Sequence, residues 1–400
     1  MARIATVYSA SRGAWELRDM SFIRWQKISE ALARLGHEVD IVTDESHWSQ
    51  SRTPVGMAER LRRVPLKGID WSRYDVVKTL FHSGFNLLEE HGGARHPFII
   101  SKLGSVVGAE DMPGVYFFGD VRRRLYETQA KIHRTARYVT VLSKPAGELL
   151  AEVHGARERV LLVPGGVDDE IPAPSQNPFA NLAEKICLFS GNVYFPDSQP
   201  EANRVLVAKL NELGRRLEGS GVRVCFQGHG DTSKLDERLV TNLGSVPYAE
   251  TWNWLLHATV GIVVSAGSFM HNNESTKIYH YLRAGLPVVS ESGFPNDDVV
   301  RQSELGFVVP SGDMEQMAER IREAAEAAWD RAAAIEFVRR HHTWDVRART
   351  YAAILPRAAA GPIARGRRWM QLHPGESVAG ALLSLLARRR DAMRAKGPLK

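Results

Sequence analysis

Short apolar runs alternate with amphipathic segments along most of the chain. Residues 4–8 and 39–42 have the pattern of buried strands, and residues 20–35 between them carry apolar side chains at helical spacing until Gly36. Further strands are predicted at residues 75–77, 98–100 and 138–142, with a basic helix at 121–137. Strands that alternate with helices predict an α/β fold with a parallel, doubly wound sheet.

The alternation stops at a polar stretch and then starts again. Residues 171–178 contain three prolines, which mark a linker, and the next apolar run begins at Ile186. Strands are then predicted at 222–226, 260–264 and 307–310, and helices at 201–217, 251–257 and 314–328. Because 400 residues exceed what one core usually holds, we predict a domain at 1–168, a linker at 169–182 and a second domain at 183–343.

The positive charge of the chain lies at one end. The formal net charge is +6, but residues 357–400 contain ten of the 52 Lys and Arg and only two of the 46 acids. The remaining 356 residues therefore carry a net charge of −2. A nucleic-acid enzyme would place its positive field over the active cleft, so we expect no nucleic-acid partner.

The basic tail has an amphipathic character. Within residues 377–394, apolar side chains fall on one helical side and arginines cluster at the end, and Trp369 lies upstream. Basic residues combined with Trp and Leu suit an anionic membrane surface, so residues 361–400 predict peripheral attachment to a membrane. A disordered tail, or a helix docked on the body, is the alternative.

Cysteine usage and hydropathy indicate a cytoplasmic protein. The two cysteines, Cys187 and Cys225, each lie in an apolar run, which fits neither a disulfide framework nor a metal cluster. The chain begins with a strand pattern rather than a signal peptide, and no run of about 18 apolar residues occurs. We expect a cytoplasmic location, with possible attachment to the inner face of the plasma membrane, and no metal cofactor.

The most informative segment is residues 273–289, where a polar turn opens a helix that ends at Gly285 before an apolar run. Ser275 and Thr276 are good N-caps, and Lys277 lies in the first turn, where a helix start attracts anions. His280 lies one turn further along the same face. This pattern predicts a seat for a diphosphate; a capped helix that leads into a buried strand is an equal alternative.

The segment resembles the donor-binding motif of GT-B glycosyltransferases, which ends in a similar Ala-x-Gly-x-Pro-Val-Val run. Many members carry two glutamates eight residues apart, whereas Asn272 and His280 occupy the corresponding positions here. The Lys277 variant is more similar to bacterial polysaccharide glycosyltransferases, including the xanthan glucuronosyltransferase type. The resemblance implies two Rossmann-like domains facing a cleft, and a terminal helix at 344–356 that returns to the first domain.

The same resemblance implies a function and a set of binding residues. It implies metal-independent transfer from a nucleotide-diphosphate sugar, a UDP-sugar rather than a GDP-sugar, to a glycan or lipid-linked acceptor. The residues expected to bind the donor are Arg12, Gly13, Asn192, Gly228, Val246, Tyr248, Glu274, Ser275, Thr276, Lys277 and His280. Glycines at strand ends permit close backbone approach to a ligand, and strand ends are where α/β sheets bind ligands.

Asp120 is the candidate catalytic base, because an inverting transferase needs a carboxylate that deprotonates the acceptor hydroxyl. Glu16 and Asp19 are the reserves, and an N-cap role for Asp120 is the alternative. Retaining members often carry a histidine where this chain has Leu103, which favours inversion. Two other functions remain open: a nucleotide-sugar epimerase or hydrolase of the same fold, and a non-catalytic partner subunit.

Overall fold

The computed structural model describes residues 1–9, 17–44, 60–108, 119–267, 270 and 272–356. Two of the sequence predictions therefore lie outside the described residues: the loop that contains Arg12, Gly13 and Glu16, and the basic tail from residue 357 onward.

The first sheet is built from seven parallel strands. They are β1 (Arg3–Val7), β2 (Glu38–Thr43), β3 (Leu61–Pro65), β4 (Val76–Leu80), β5 (Ile99–Lys102), β6 (Tyr138–Val141) and β7 (Val160–Leu162), in the order β3-β2-β1-β4-β5-β6-β7. Four helices connect them: α1 (Met20–Arg34), α2 (Phe81–Glu90), α3 (Gly119–Thr135) and α4 (Lys144–His154). Each strand pair is parallel, and the central strands are buried on both faces.

The second sheet has six parallel strands. They are β8 (Lys185–Asn192), β9 (Val222–His229), β10 (Val240–Asn242), β11 (Val260–Val263), β12 (Val288–Glu291) and β13 (Gly306–Val309), in the order β10-β9-β8-β11-β12-β13. Its helices are α5 (Pro200–Leu217), α6 (Tyr248–His257), α7 (Thr276–Arg283), α8 (Asp298–Gln302), α9 (Met314–Glu326) and α10 (Arg331–His341). Two doubly wound parallel sheets confirm the predicted α/β fold.

A last helix, α11 (Trp344–Ala352), packs on α1 of the first sheet. Asp345 on α11 accepts from Arg34 on α1 at 2.7 Å, and the Tyr351 hydroxyl lies 3.1 Å from the Thr140 hydroxyl of β6. The side chain of Thr343 caps the helix start by accepting from the Val346 N–H. The chain therefore crosses from the second sheet back to the first.

Several predicted elements have different bounds in the structure, and three of the differences have a clear physical reason. Strand β4 continues to Leu80, three residues beyond the prediction, and β9 continues to His229 because each of its eight residues pairs with β8. Helix α6 begins at Tyr248, directly after Pro247, since Tyr248, Trp252 and Leu255 form one buried face. Among the described residues, no helix combines the length and apolarity that a membrane span requires.

Candidate functional site

The carboxyl ends of the two sheets face each other, and loops from both meet there. The Leu17 carbonyl accepts from the Tyr248 N–H at 3.0 Å, and Arg18 donates to the Ser245 carbonyl at 2.7 Å. On the other side of this junction, Asn273 donates to the Ser105 hydroxyl at 2.8 Å. Open α/β sheets bind ligands at this edge. The junction is therefore the candidate site.

Lys277 lies across the end of β8, at the start of α7. A Cβ atom added at Gly191 would lie 2.2 Å from Lys277 Cε and 2.8 Å from Nζ, so the lysine occupies space that only a glycine leaves. Its Nζ also lies 5.0 Å from the centre of the Phe189 ring. No carboxylate among the described residues pairs with it, and burial lowers its pKa to about 8. The amine is thus a cation held at a strand end without a counter-ion in the part of the protein that the structure describes.

The start of α7 is held by the loop before α8. Ser275 is the N-cap, as its position in the sequence predicts, but its hydroxyl does not cap the helix. Instead, the Asn296 side chain accepts from the Ser275 N–H at 2.8 Å and donates to the Ser275 carbonyl at 2.9 Å. The Ser275 Oγ is buried without a hydrogen-bond partner among the described residues. Helix α7 therefore presents a positive dipole end beside Lys277.

Glu274 connects the donor segment, which is residues 273–289, to the loop that follows β7 of the first sheet. One carboxylate oxygen accepts from the Gly165 N–H, and the other accepts from the Tyr279 hydroxyl at 2.9 Å. A Cβ at Gly165 would lie 2.5 Å from Glu274 Oε1 and 2.9 Å from Thr276 Cγ2, so glycine is required there. Both carboxylate oxygens have protein donors, which gives Glu274 a structural contact in addition to the donor role predicted for it.

His280 and Tyr248, which the resemblance assigns to the donor, bond to each other. The Thr276 carbonyl can only accept, so the His280 Nδ1 at 2.8 Å donates to it and Nε2 accepts from the Tyr248 hydroxyl at 3.0 Å. Trp252 stacks on the imidazole, with ring centres 5.4 Å apart. Burial lowers the pKa of His280 and raises that of Tyr248, so both rings are neutral at pH 7. The two side chains therefore bond to each other, and the imidazole also bonds to the first residue of α7.

The strand-end residues of β8 and β9 contact one another. Gly228 has φ +151°, and a Cβ there would lie 1.6 Å from the Gly191 carbonyl oxygen. The Asn192 side chain accepts from the Tyr194 N–H at 2.6 Å and stabilises the turn after β8. Val246 is half-buried in the turn whose neighbours bond to the segment after β1. The backbones of β8 and β9 therefore approach each other closely at Gly191 and Gly228.

The carboxylates nominated as bases lie in the first domain. Asp120 is in the first turn of α3, one residue after the helix begins, with an exposed side chain that pairs with Arg123 at 3.0 Å. Asp19 is the N-cap of α1 and accepts from the Ser21 N–H at 2.7 Å. Both residues are exposed.

Several buried cations near the junction were missed by sequence reasoning. Lys78, in the middle of β4, lies 4.8 Å from the Tyr351 ring centre, and burial lowers its pKa to about 7. Lys102, at the end of β5, donates to the Val163 carbonyl, and burial lowers its pKa well below the usual value for a lysine. Arg24 on α1 lies near Glu274, which opposes the lowering of its pKa by burial. The only signal in the sequence is a lysine inside an otherwise apolar strand.

Candidate metal ligands do not cluster in the described part of the chain. Among the residues that the structure describes, no three or more His, Cys, Asp or Glu side chains gather where they would hold one metal ion.

Comparison with known proteins places this geometry in a class. Residues 226–339 match the family model described as glucosyltransferase 3-like, C-terminal domain. This span begins within β9 and ends within α10, and it contains the whole of residues 273–289 around Lys277. No curated protein sequence matches the chain.

Solved structures show the same two-domain fold at low sequence identity. Sucrose-phosphate synthase from Thermosynechococcus elongatus is 16% identical with a TM-score of 0.63, covering 88% of this chain and 98% of its own. HepE from Anabaena, solved with UDP and glucose, is 12% identical with a TM-score of 0.64, covering 89% and 99%. WaaG, a glycosyltransferase of lipopolysaccharide biosynthesis, is 13% identical with a TM-score of 0.54, covering 88% and 95%.

The fold is therefore GT-B, and the domain match within that fold makes the chain a glycosyltransferase. Both conclusions confirm what the Lys277 segment predicts from sequence.

Proposed function

We propose that this glycosyltransferase moves a sugar from a nucleotide-diphosphate donor, a UDP-sugar in preference to a GDP-sugar, to a glycan or lipid-linked acceptor. The observation that carries the proposal is the Lys277 amine, which lies over Gly191 beside the start of α7 without a carboxylate partner among the described residues. HepE, with UDP and glucose, supports a uridine nucleotide. WaaG supports a role in cell-surface glycoconjugate synthesis.

The electrostatics of the site suit a leaving diphosphate. As the bond from the sugar to the diphosphate breaks, negative charge grows on the phosphate oxygens, and Lys277 and the α7 dipole stabilise it. We propose that these two features, with Arg12 and Gly13 approaching from the first domain, perform this role without a metal ion. Ser275, Thr276 and Asn192 would bind beside the phosphates, and Gly228, Val246 and Tyr248 would flank the base, with His280 toward the ribose.

A direct assay tests the donor and the reaction class together. Purified protein is incubated with UDP-, GDP- and ADP-sugars in EDTA, with and without a lipid-linked saccharide acceptor. We expect a UDP-sugar to be consumed in EDTA only when acceptor is present. Consumption without acceptor that releases an epimerised or free sugar would instead favour an epimerase or hydrolase of this fold, and loss of turnover in EDTA would contradict metal independence.

Asp120 is the proposed base in an inverting reaction. It would take the proton from the acceptor hydroxyl as that oxygen attacks the anomeric carbon. We expect Asp120→Asn to lower kcat by about 10²–10⁴-fold and to leave donor affinity unchanged, because general-base catalysis contributes that range. The control is Asp19→Asn, which retains an N-cap side chain. If Asp19→Asn loses turnover and Asp120→Asn keeps it, Asp19 is the base.

We also propose that residues 361–400 attach the enzyme to the anionic inner face of the plasma membrane. This proposal rests on the sequence of that segment alone. The full chain is expected to sediment with phosphatidylglycerol vesicles at low salt, less so at high salt, because screening weakens surface charge interactions. A chain that ends at residue 360 should stay in the supernatant. Equal sedimentation of both chains would contradict the proposal.

A further inference from the structure

A second cavity, of about 420 Å³, opens on the first sheet at a distance from the donor segment. It is bordered by β1, β2, β3 and the connection from β3 to β4. Arg3 is the first residue of β1 and Tyr74 precedes β4, so the cavity reaches the amino ends of these strands. The donor segment faces the carboxyl ends of the sheet. The cavity therefore shares no lining residue with that site.

The lining of the cavity is strongly basic. Its cationic residues are Arg3, Arg62, Arg63, Lys67 and Arg73. Among the described residues that line it, the two acids, Asp40 and Asp70, leave an excess of three positive charges. Such an excess within one concave surface attracts an anion.

Both acids already have protein partners. Asp40 is fully buried and accepts from Arg62 Nε at 3.0 Å, from Arg3 Nη2 at 3.3 Å and from the Tyr74 hydroxyl at 2.9 Å. Asp70 accepts from the N–H of Ser72 at 3.0 Å and from its hydroxyl at 2.6 Å. Asp40 thus fixes the guanidinium groups of Arg3 and Arg62 at the wall of the cavity.

Two details indicate that the cations are incompletely solvated. Arg3 Nε is buried without a hydrogen-bond partner among the described residues, although the guanidinium also lies 5.1 Å from the Tyr74 ring centre. Burial lowers the pKa of Arg63 to about 10, so its guanidinium remains charged at neutral pH but in a poorly solvated position. An anion in the cavity would restore the interactions that water supplies elsewhere.

We propose that this cavity binds a small organic phosphate through its phosphate group, independently of the donor site. Four of the five cations are arginines, whose planar forks suit the oxygens of a phosphate. A phosphomonoester carries about −1.5 to −2 charges at pH 7, which matches the excess better than a single carboxylate does. The volume of about 420 Å³ lies in the range of small-molecule sites, about 300–1,000 Å³, and leaves room for a polyol beside the phosphate.

The binding experiment uses the full chain, with glycerol 1-phosphate as the probe and calorimetry as the readout. We expect Arg63→Gln/Arg73→Gln to weaken binding by at least about tenfold, because two charged donors are removed. The matched control is Arg204→Gln/Arg340→Gln, which removes the same charge from two side chains outside the cavity. These side chains are 68% and 69% exposed. Control and wild type should bind equally, and so should Lys277→Ala, which tests the donor site.

A vesicle arm distinguishes a free phosphate from a lipid headgroup. Because the tail is itself proposed to bind anionic membranes, the comparison is between phosphatidate and phosphatidylglycerol vesicles of equal surface charge. If the full chain prefers phosphatidate, if that preference is lost in Arg63→Gln/Arg73→Gln, and if glycerol 1-phosphate gives little response, the source is a headgroup and the proposal holds. Circular dichroism checks that the variant folds; if it does not, Lys67→Gln/Arg73→Gln takes its place. Glycerol 1-phosphate binding or a phosphatidate preference that survives in the variant, a loss in Lys277→Ala instead, or neither response in the wild type would overturn the proposal.

Discussion

Replacing Lys277 with alanine is expected to lower kcat/KM for sugar transfer by about 10²–10³-fold, since one preformed donor to a developing negative charge contributes that much. The helix dipole alone supplies only about 0.3–1 kcal/mol, so it would not compensate. The fold should be retained, because the side chain has no ion-pair partner among the described residues and rests on Gly191 and Phe189. Steady-state kinetics measure the loss of kcat/KM, and circular dichroism checks that the fold is retained.

Two further variants make this result specific to the position. Lys185→Ala removes a lysine that is 42% exposed and paired with Glu326, and it should leave transfer unchanged. Lys277→Arg keeps the charge but needs more room than Gly191 provides, so it should restore little activity. Wild-type turnover in Lys277→Ala would contradict the proposed function.

The pH dependence of donor affinity gives an independent measurement of the same amine. Burial lowers the pKa of Lys277 to about 8 in the free enzyme, so the group is charged below that pH and loses its proton above it. Donor affinity should therefore be flat below pH 8 and fall at higher pH by up to about tenfold per unit. Bound diphosphate favours the charged form, so binding near pH 8 takes up protons. Lys277→Ala should lose both effects.

The fold and the donor segment were accessible to sequence reasoning because their determinants are local. Apolar runs such as Val260–Val263 are buried on both sides of a parallel sheet, and continuous burial leaves a continuous apolar pattern. The start of α7 was similarly visible, since Ser275, Lys277 and the stop at Gly285 lie within eleven residues.

Contacts between distant segments were not accessible in the same way. The Glu274 bond to Gly165 spans 109 residues and the Tyr248 bond to His280 spans 32, and no periodicity relates the partners. Gly228 shows the same limit, because a glycine after a strand leaves space without indicating what fills it. In the structure the backbone of Gly191 fills the Cβ position of Gly228, and nothing in the sequence indicated this contact.

Gly228→Ala is therefore expected to destabilise the second domain by about 3 kcal/mol or more, which is the upper range for inserting a methyl group into filled space. The new Cβ would lie 1.6 Å from the Gly191 carbonyl oxygen and would meet φ +151°, which L-residues rarely adopt. Gly191 cannot yield freely, because it is paired with Gly228 in the parallel register of β8 and β9. The variant should have a lower melting temperature than the wild type and should no longer bind UDP.

Two other glycine variants separate the causes of this loss. Gly244 also has a positive φ, +71°, but nothing lies within 4 Å of its Cβ position, so Gly244→Ala measures the backbone cost alone, about 1 kcal/mol. Gly147 lies within α4, where a Cβ would meet Val141 at an ordinary 3.5 Å, so Gly147→Ala should be neutral or slightly stabilising. If Gly228→Ala melts no lower than Gly244→Ala, strands β8 and β9 do not approach as closely as the structure has them. The position of Lys277 over Gly191, at the same strand end, would then be contradicted as well.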